Sequence, residues 1–180
     1  VLPSSLTIIS VRAFESCVKL TSVDLTQTSL SDIEREAFSG CIELATVALP
    51  NSLIRIETSS FKNCRKLTSV DLSQTSLTSI GSLFSRNCIW FTSIDFPSTL
   101  VSIDSYAFEE YTGLTSIVLP STVTSIGEGA FQSCAGLSSV DLSQTSLTRI
   151  EFYTFRDCER LTRIDFPSTL TSIGSSAFLD

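Results

Sequence analysis

A phenylalanine returns at a nearly fixed interval along the chain, as Phe14, Phe38, Phe61, Phe84, Phe108, Phe131, Phe155 and Phe178, spaced 23 or 24 residues apart. Its surroundings return with it. LTSIGSSAF (170–178) and VTSIGEGAF (123–131) share one approach to the Phe, and in most units a Cys follows three residues later and a Leu six later. A period of this length marks an array whose units cannot bury an apolar face alone, so neighbours must stack. The spacing predicts a single array over residues 1–180, about seven and a half coils of 23–24 residues.

Apolar spacing within a unit predicts its local structure. Val23 and Leu25 alternate with Ser22 and Asp24, the period of a half-buried strand with Val and Leu inward. A second short extended piece, Leu30 to Ile33, follows a turn. Phe14, Cys17 and Leu20 then fall three apart, which places them on one face of a short helix. Strands stack ~4.8 Å apart whereas helices are ~10 Å wide, so the helical side is expected to spread and the strand side to become concave. The fold class expected is an α/β solenoid with a concave parallel β-sheet and short helices on its convex side.

Composition narrows the function. A hydrophobic fraction of 42% and a charged fraction of 17% suit a chain that buries a core. The absence of histidine removes Ser/His/Asp and Cys/His catalysis and imidazole metal ligands, so no enzyme activity and no cofactor are expected. A net charge of −7 argues against nucleic acid, whose phosphates call for clustered Lys and Arg. No apolar run approaches the ~18–20 residues that cross a bilayer, so no membrane insertion is expected, and VLPSSLTII lacks the form of a signal peptide.

The phrase LTSVDLSQTSL (67–77) fits the pattern L-x-x-L-x-L-x-x-N-x-L with Thr75 in the Asn position; LTSVDLTQTSL (20–30) and LSSVDLSQTSL (137–147) fit it with Thr28 and Thr145. LTSIVLPSTV (114–123), FTSIDFPSTL (91–100) and LTRIDFPSTL (161–170) are one residue shorter and turn on Pro, which accounts for the 23/24 alternation. The version P-S-T-L-T-S-I-G-x-x-A-F-x-x-C resembles the BspA-like class of leucine-rich repeats, found on bacterial surfaces and in protozoa. The resemblance implies a right-handed superhelix that binds protein or glycan at the cell surface or outside the cell, with adhesion as its use. It also implies that the Thr column bonds the turns of adjacent coils, as the family's Asn does. The chain begins and ends inside a unit without polar caps, so it is expected to be part of a longer array. The alternative is an intracellular scaffold or coat component that self-associates end to end.

Candidate contact residues are the outward strand positions. They form columns containing Ser22, Ser69, Ser93, Ser116, Ser139 and Arg163, beside Asp24, Asp71, Asp95, Asp141 and Asp165. Asp71–Asp95 and Asp141–Asp165 place like charges on neighbouring strands, an arrangement that a cation or basic partner would relieve. Trp90 occupies a slot held elsewhere by Lys19, Lys66 and Arg160, so it is expected at the surface as a further contact. Cys17, Cys41, Cys64, Cys88, Cys134 and Cys158 share one slot, with Tyr111 holding it between Cys88 and Cys134. A column offers a line rather than a converging ligand set, so these thiols read as packing residues and no metal is expected. The fourth unit has four residues from Ile80 to Phe84 where the others have five. Phe84 is expected to fill the Phe layer, with a shortened turn before it and a one-residue helical bulge after it.

Overall fold

A computed structural model describes residues 2–82, 84 and 92–180. Two ladders of short parallel strands run along the array. The first contains β2 (Ser22–Asp24), β4 (Thr46–Ala48), β8 (Ser116–Val118), β10 (Ser139–Asp141) and β12 (Arg163–Asp165). The second contains β1 (Ile8–Ile9), β3 (Asp32–Ile33), β5 (Arg55–Ile56), β6 (Ser79–Ile80), β7 (Ser102–Ile103) and β9 (Ser125–Ile126) in one sheet, and β11 (Arg149–Ile150) with β13 (Ser172–Ile173) in another. Each strand is only two or three residues long because one inward residue per coil suffices to fill the core. Val23, Val47, Ile117 and Val140 do so on the first ladder and Ile33, Ile56, Ile80 and Ile103 on the second, all buried. The pairing keeps equivalent residues opposite one another, as in Val23↔Val47 and Ile80↔Ile103.

The expected helices do not form, and the α/β assignment is corrected: among the described residues the Phe side consists of turns and contains no helix. Backbone dihedrals supply the reason. Two residues before the Phe, Arg12, Glu36, Ser59, Tyr106, Gly129, Tyr153 and Ser176 have φ of 54 to 58°. Two residues after it, Ser16, Gly40, Asn63, Glu110, Ser133 and Asp157 have φ of 55 to 74°. Left-handed residues at this spacing interrupt any right-handed helix, at a cost of roughly 1–2 kcal/mol for each side chain so placed. The return is a third ladder. Successive turns close on carbonyls three residues back, as in Cys134 to Phe131, while intervening N–H groups cross to the next coil, as in Phe14 to Ala37, Phe108 to Ala130 and Phe155 to Ala177, all at 2.8 Å.

The Phe rings consequently lie at strand spacing rather than helix spacing. Phe14–Phe38, Phe38–Phe61, Phe108–Phe131, Phe131–Phe155 and Phe155–Phe178 stack with centroids 5.1–5.5 Å apart and planes within 8°. The difference in width that was to bend the strand side into a concave sheet is therefore missing.

Phe84 does fill the Phe layer, fully buried, but by another route than a shortened turn. The N–H of Phe61 donates to the carbonyl of Phe84, where Phe38 donates to Ser60 and Phe131 to Thr154. The backbone thus keeps its count, and Phe84 occupies the position of the small residue that elsewhere precedes the Phe. Its ring enters the layer from that neighbouring position and stands nearly edge-on, at 76° to Phe61 and 74° to Phe108, with centroids 5.5 and 6.0 Å away. The bulge expected after it lies outside the described residues.

Two further columns carry buried polar groups. The Cys41, Cys64, Cys134 and Cys158 thiols donate to the carbonyls of Phe14, Phe38, Phe108 and Phe131, one coil back, at 3.1–3.2 Å. The Thr28, Thr75 and Thr145 hydroxyls are buried and each donates at 2.7 Å to the carbonyl three residues before it, Leu25, Leu72 and Leu142. This closes their own turns and not those of adjacent coils, as had been expected. The inter-coil role falls instead to the Pro-turned units, where Thr99, Thr122 and Thr169 donate to Leu77, Leu100 and Leu147 at 2.6–2.7 Å.

Burial holds two of the thiols far from reactivity. It pushes Cys158 up to about 12 and Cys134 well above the usual thiol range, with the neighbouring Cys158 adding to the effect on Cys134. Since the thiolate is the nucleophile, iodoacetamide at pH 8 is expected to leave both unmodified in the folded chain and to alkylate both in denaturant. Peptide mass spectrometry reads the difference.

Candidate functional site

The outward residues of the first ladder form one face. Ser22 and Asp24 lie opposite Thr46 and Ala48. Ser139 lies opposite Ser116 on one side and Arg163 on the other; Asp141 lies between Val118 and Asp165. Asp71 and Asp95 pair directly as an isolated parallel bridge, with Ser69 and Ser93 exposed beside them. The structure therefore brings together the Ser and Asp columns read from the repeat, including both like-charged pairs. Trp90 lies outside the described residues, as does Cys88. Cys17 is exposed, whereas Cys41, Cys64, Cys134 and Cys158 are buried.

The carboxylates are not equivalent. The Thr26 hydroxyl and N–H donate to Asp24 Oδ1 at 2.7 and 3.0 Å and hold its carboxyl below the usual range. Asp141 is lowered likewise by the Ser143 side chain and by its N–H at 2.9 Å. Each carboxylate is thus favoured in the fold, and its stabilising contribution is present at neutral pH and lost as pH falls through the lowered value. Replacing Ser143 with Ala is expected to move the Asp141 midpoint up towards the ordinary Asp value of about 3.9. Carboxyl-carbon chemical shifts during acid titration check this. Asp71 accepts from the Ser73 N–H at 2.8 Å. Asp165 accepts from Arg163 Nε at 2.9 Å, an exposed pair of small energetic weight. Asp95 has no hydrogen-bond or ionic partner among the described residues, although it stands beside Asp71.

The second ladder treats its charges differently. Arg55 Nη2 lies 2.6 Å from Asp32 Oδ1 and Arg149 Nε lies 3.1 Å from Glu151. Ser31 and Thr171 hydroxyls donate to Thr7 and Thr148 carbonyls one coil back, at 3.2 and 2.9 Å. On the Phe side, Tyr106 donates to Glu128 at 2.7 Å, and that hydrogen bond is the main cause that pushes the phenol up to about 12. These faces pair several of their groups, Asp104 just after β7 being without an ionic partner among the described residues; the first ladder leaves like charges adjacent and one of them unpartnered. Among the described residues no three Cys, Asp or Glu side chains converge as a metal site, and no helix is long and apolar enough to cross a membrane.

One feature of this face escaped the sequence reading: the first ladder is interrupted, with no backbone hydrogen bond joining β4 to Ser69–Asp71 or Ser93–Asp95 to β8 among the described residues. Val118, an outward position in the repeat, is 67% exposed in a column otherwise rich in Asp. The Val in an Asp column was a visible signal. The interruption was not, because the repeat runs through it unchanged.

Comparison with known proteins follows the same lines. The BspA type leucine rich repeat region matches residues 1–89 and 78–180, in six copies. A leucine rich repeat protein of T. pallidum superposes with a TM-score of 0.64 at 28% identity, over 96% of this chain and 71% of its own. A leucine rich cell surface protein of Faecalibacterium prausnitzii superposes with a TM-score of 0.75 at 25% identity, over 96% of this chain and 55% of its own. This chain therefore spans little more than half the length of that protein. No curated protein matches it.

Proposed function

Because the chain belongs to the BspA-type leucine-rich repeat family, we propose that it is a non-catalytic binding module of a cell-surface protein and docks a protein partner on its first strand ladder. One observation carries the choice of face. Asp71 and Asp95 are held side by side with no cation between them among the described residues, while Asp32 of the second ladder and Glu151 just after β11 have Arg partners. Asp104 just after β7, which has none among the described residues, lies between Gly81 and Gly127 rather than beside a like charge. Adjacent like charges on a sheet cost a few tenths of a kcal/mol or more, and a basic partner removes that cost on binding. The similarity to a cell surface protein supports an exposed location; adhesion is the use we read for a binding module placed there. A glycan is a less favoured ligand, since its neutral hydroxyls donate to carboxylates but carry no positive charge to offset the repulsion between two adjacent ones.

Photo-cross-linking tests the face. With a photoreactive side chain at Ser116 or Ser139, the bound protein partner is expected to form an adduct; at Ser125 or Ser172 on the second ladder it is not. Adducts from the second ladder alone overturn the assignment. Labelling of intact cells with a membrane-impermeant reagent tests the location, which is contradicted if the protein is labelled only after lysis.

A further inference from the structure

The interruption in the first ladder opens a groove of about 450 Å³ between Ser93–Asp95 and β8, lined by Ser93, Ile94, Asp95, Phe96 and Val118 among others. Its floor is apolar. Ile94 and Phe96 are only partly buried and pack against the core, and Val118 is 67% exposed on the far wall. Its ends are acidic. Val118 lies opposite Asp141 in the paired register of β8 and β10, and one coil before it stands Asp95, whose carboxylate has no partner among the described residues and sits beside Asp71. Along the array the outward sequence is thus acid, acid, apolar, acid over successive coils.

From this pattern we infer that the groove binds an amphipathic helix of the partner protein, laid along the array, with a basic residue at i, an aliphatic residue at i+4 and a basic residue at i+7. The inference rests on the first ladder being the docking face. The helical geometry follows from spacing. The second ladder keeps these coils paired through β6, β7 and β9, ~4.8 Å apart, and a helix repeats its face every ~5.4 Å, so three side chains in a row meet three coils with a drift of under ~1.5 Å. An extended segment returns to the same face only every ~6.7 Å and misses by nearly ~2 Å at each coil. The basic residues then reach Asp95, with Asp71 beside it, and Asp141. The aliphatic residue rests on Val118, Ile94 and Phe96. Charge fixes direction and register, while apolar contact at the centre supplies affinity, as in other helix-in-groove docking.

The test uses the 180-residue chain and a labelled 18-residue synthetic helix carrying Lys at i and i+7 and Leu at i+4 on an Ala/Gln background. The control peptide has the same composition, with these residues distributed around the helix. The aligned peptide is expected to bind about tenfold more tightly by fluorescence anisotropy, a difference erased largely by V118S or D95N and untouched by D104N near the second ladder. Equal binding of both peptides, or indifference of the aligned peptide to V118S and D95N, overturns the inference. Hydrogen exchange separates the two failures. Protection that stays on β8 and β10 despite that indifference keeps the first ladder as the docking face and rejects only the helix register; protection of β7 and β9 instead rejects both.

Discussion

Replacing Phe131 with Ala is expected to lower unfolding stability by about 3–5 kcal/mol, read as a fall in the urea midpoint without loss of two-state slope. The ring is fully buried and stacked on both sides, 5.3 Å from Phe108 and 5.5 Å from Phe155. Its removal leaves a cavity that the third ladder cannot close, because the Phe131 N–H is bonded to the Thr154 carbonyl and fixes the position of the backbone. Stability in a solenoid is close to a sum of coil terms and neighbour terms, and this substitution weakens two neighbour terms at once. A domain with a typical margin of 5–15 kcal/mol loses a large share of it. A loss below about 1 kcal/mol would mean that the column is not the continuous stack described.

Phe84 gives a sharper result, because two residues have to be changed to see it. F84A alone is expected to cost about 3–5 kcal/mol, as at any buried Phe. F84A/S85F places the ring where the count of five residues from Ile80 puts it in every other coil, and is expected to recover most of that loss. Recovery requires the backbone of the fourth coil to keep its count, as the bonds from Ser59 to Ser82 and from Phe61 to Phe84 indicate. If the turn before Phe84 were shortened instead, position 85 would lie past the Phe layer, S85F would not refill the hole that F84A leaves, and the double variant would be no more stable than F84A. Urea titration of the two single variants and the double variant measures the coupling directly.

Much of this architecture was legible in the repeat. Alternation of Val23 and Leu25 with Ser22 and Asp24 specifies a strand and its inward side, and repetition at 23–24 residues specifies the neighbours, so the paired register Val23↔Val47 follows. The helix did not follow, because a spacing of three suits both a helix and a run of successive turns. Phe131, Cys134 and Leu137 satisfy either. What decided between them was the left-handed backbone at residues such as Glu36, Tyr106 and Asp157, whose side chains give no warning of it. Gly40 and Asn63, two residues after their Phe, and Gly129, two before, were the hints of that conformation.

The candidate face was legible as columns but not in its detail. Asp24, Asp71 and Asp141 each accept from an N–H two residues on, a role that Thr26, Ser73 and Ser143 allow but do not announce. Asp95 lacks that bond because Pro97 stands at the corresponding position and has no N–H. The same difference between turn types that produces the 23/24 alternation therefore leaves one carboxylate of the face unsatisfied, next to the groove where the ladder opens. Fold and candidate site share one cause at this point.

The most direct measurement of the account is the salt dependence of partner binding by the variant in which Asp71, Asp95, Asp141 and Asp165 are all Asn. With the partner that cross-links through Ser116, affinity is expected to fall at least about tenfold at low ionic strength, and its slope against salt to flatten, because exposed charges act through screened attraction. Unchanged affinity with an unchanged salt slope would contradict docking on the first ladder.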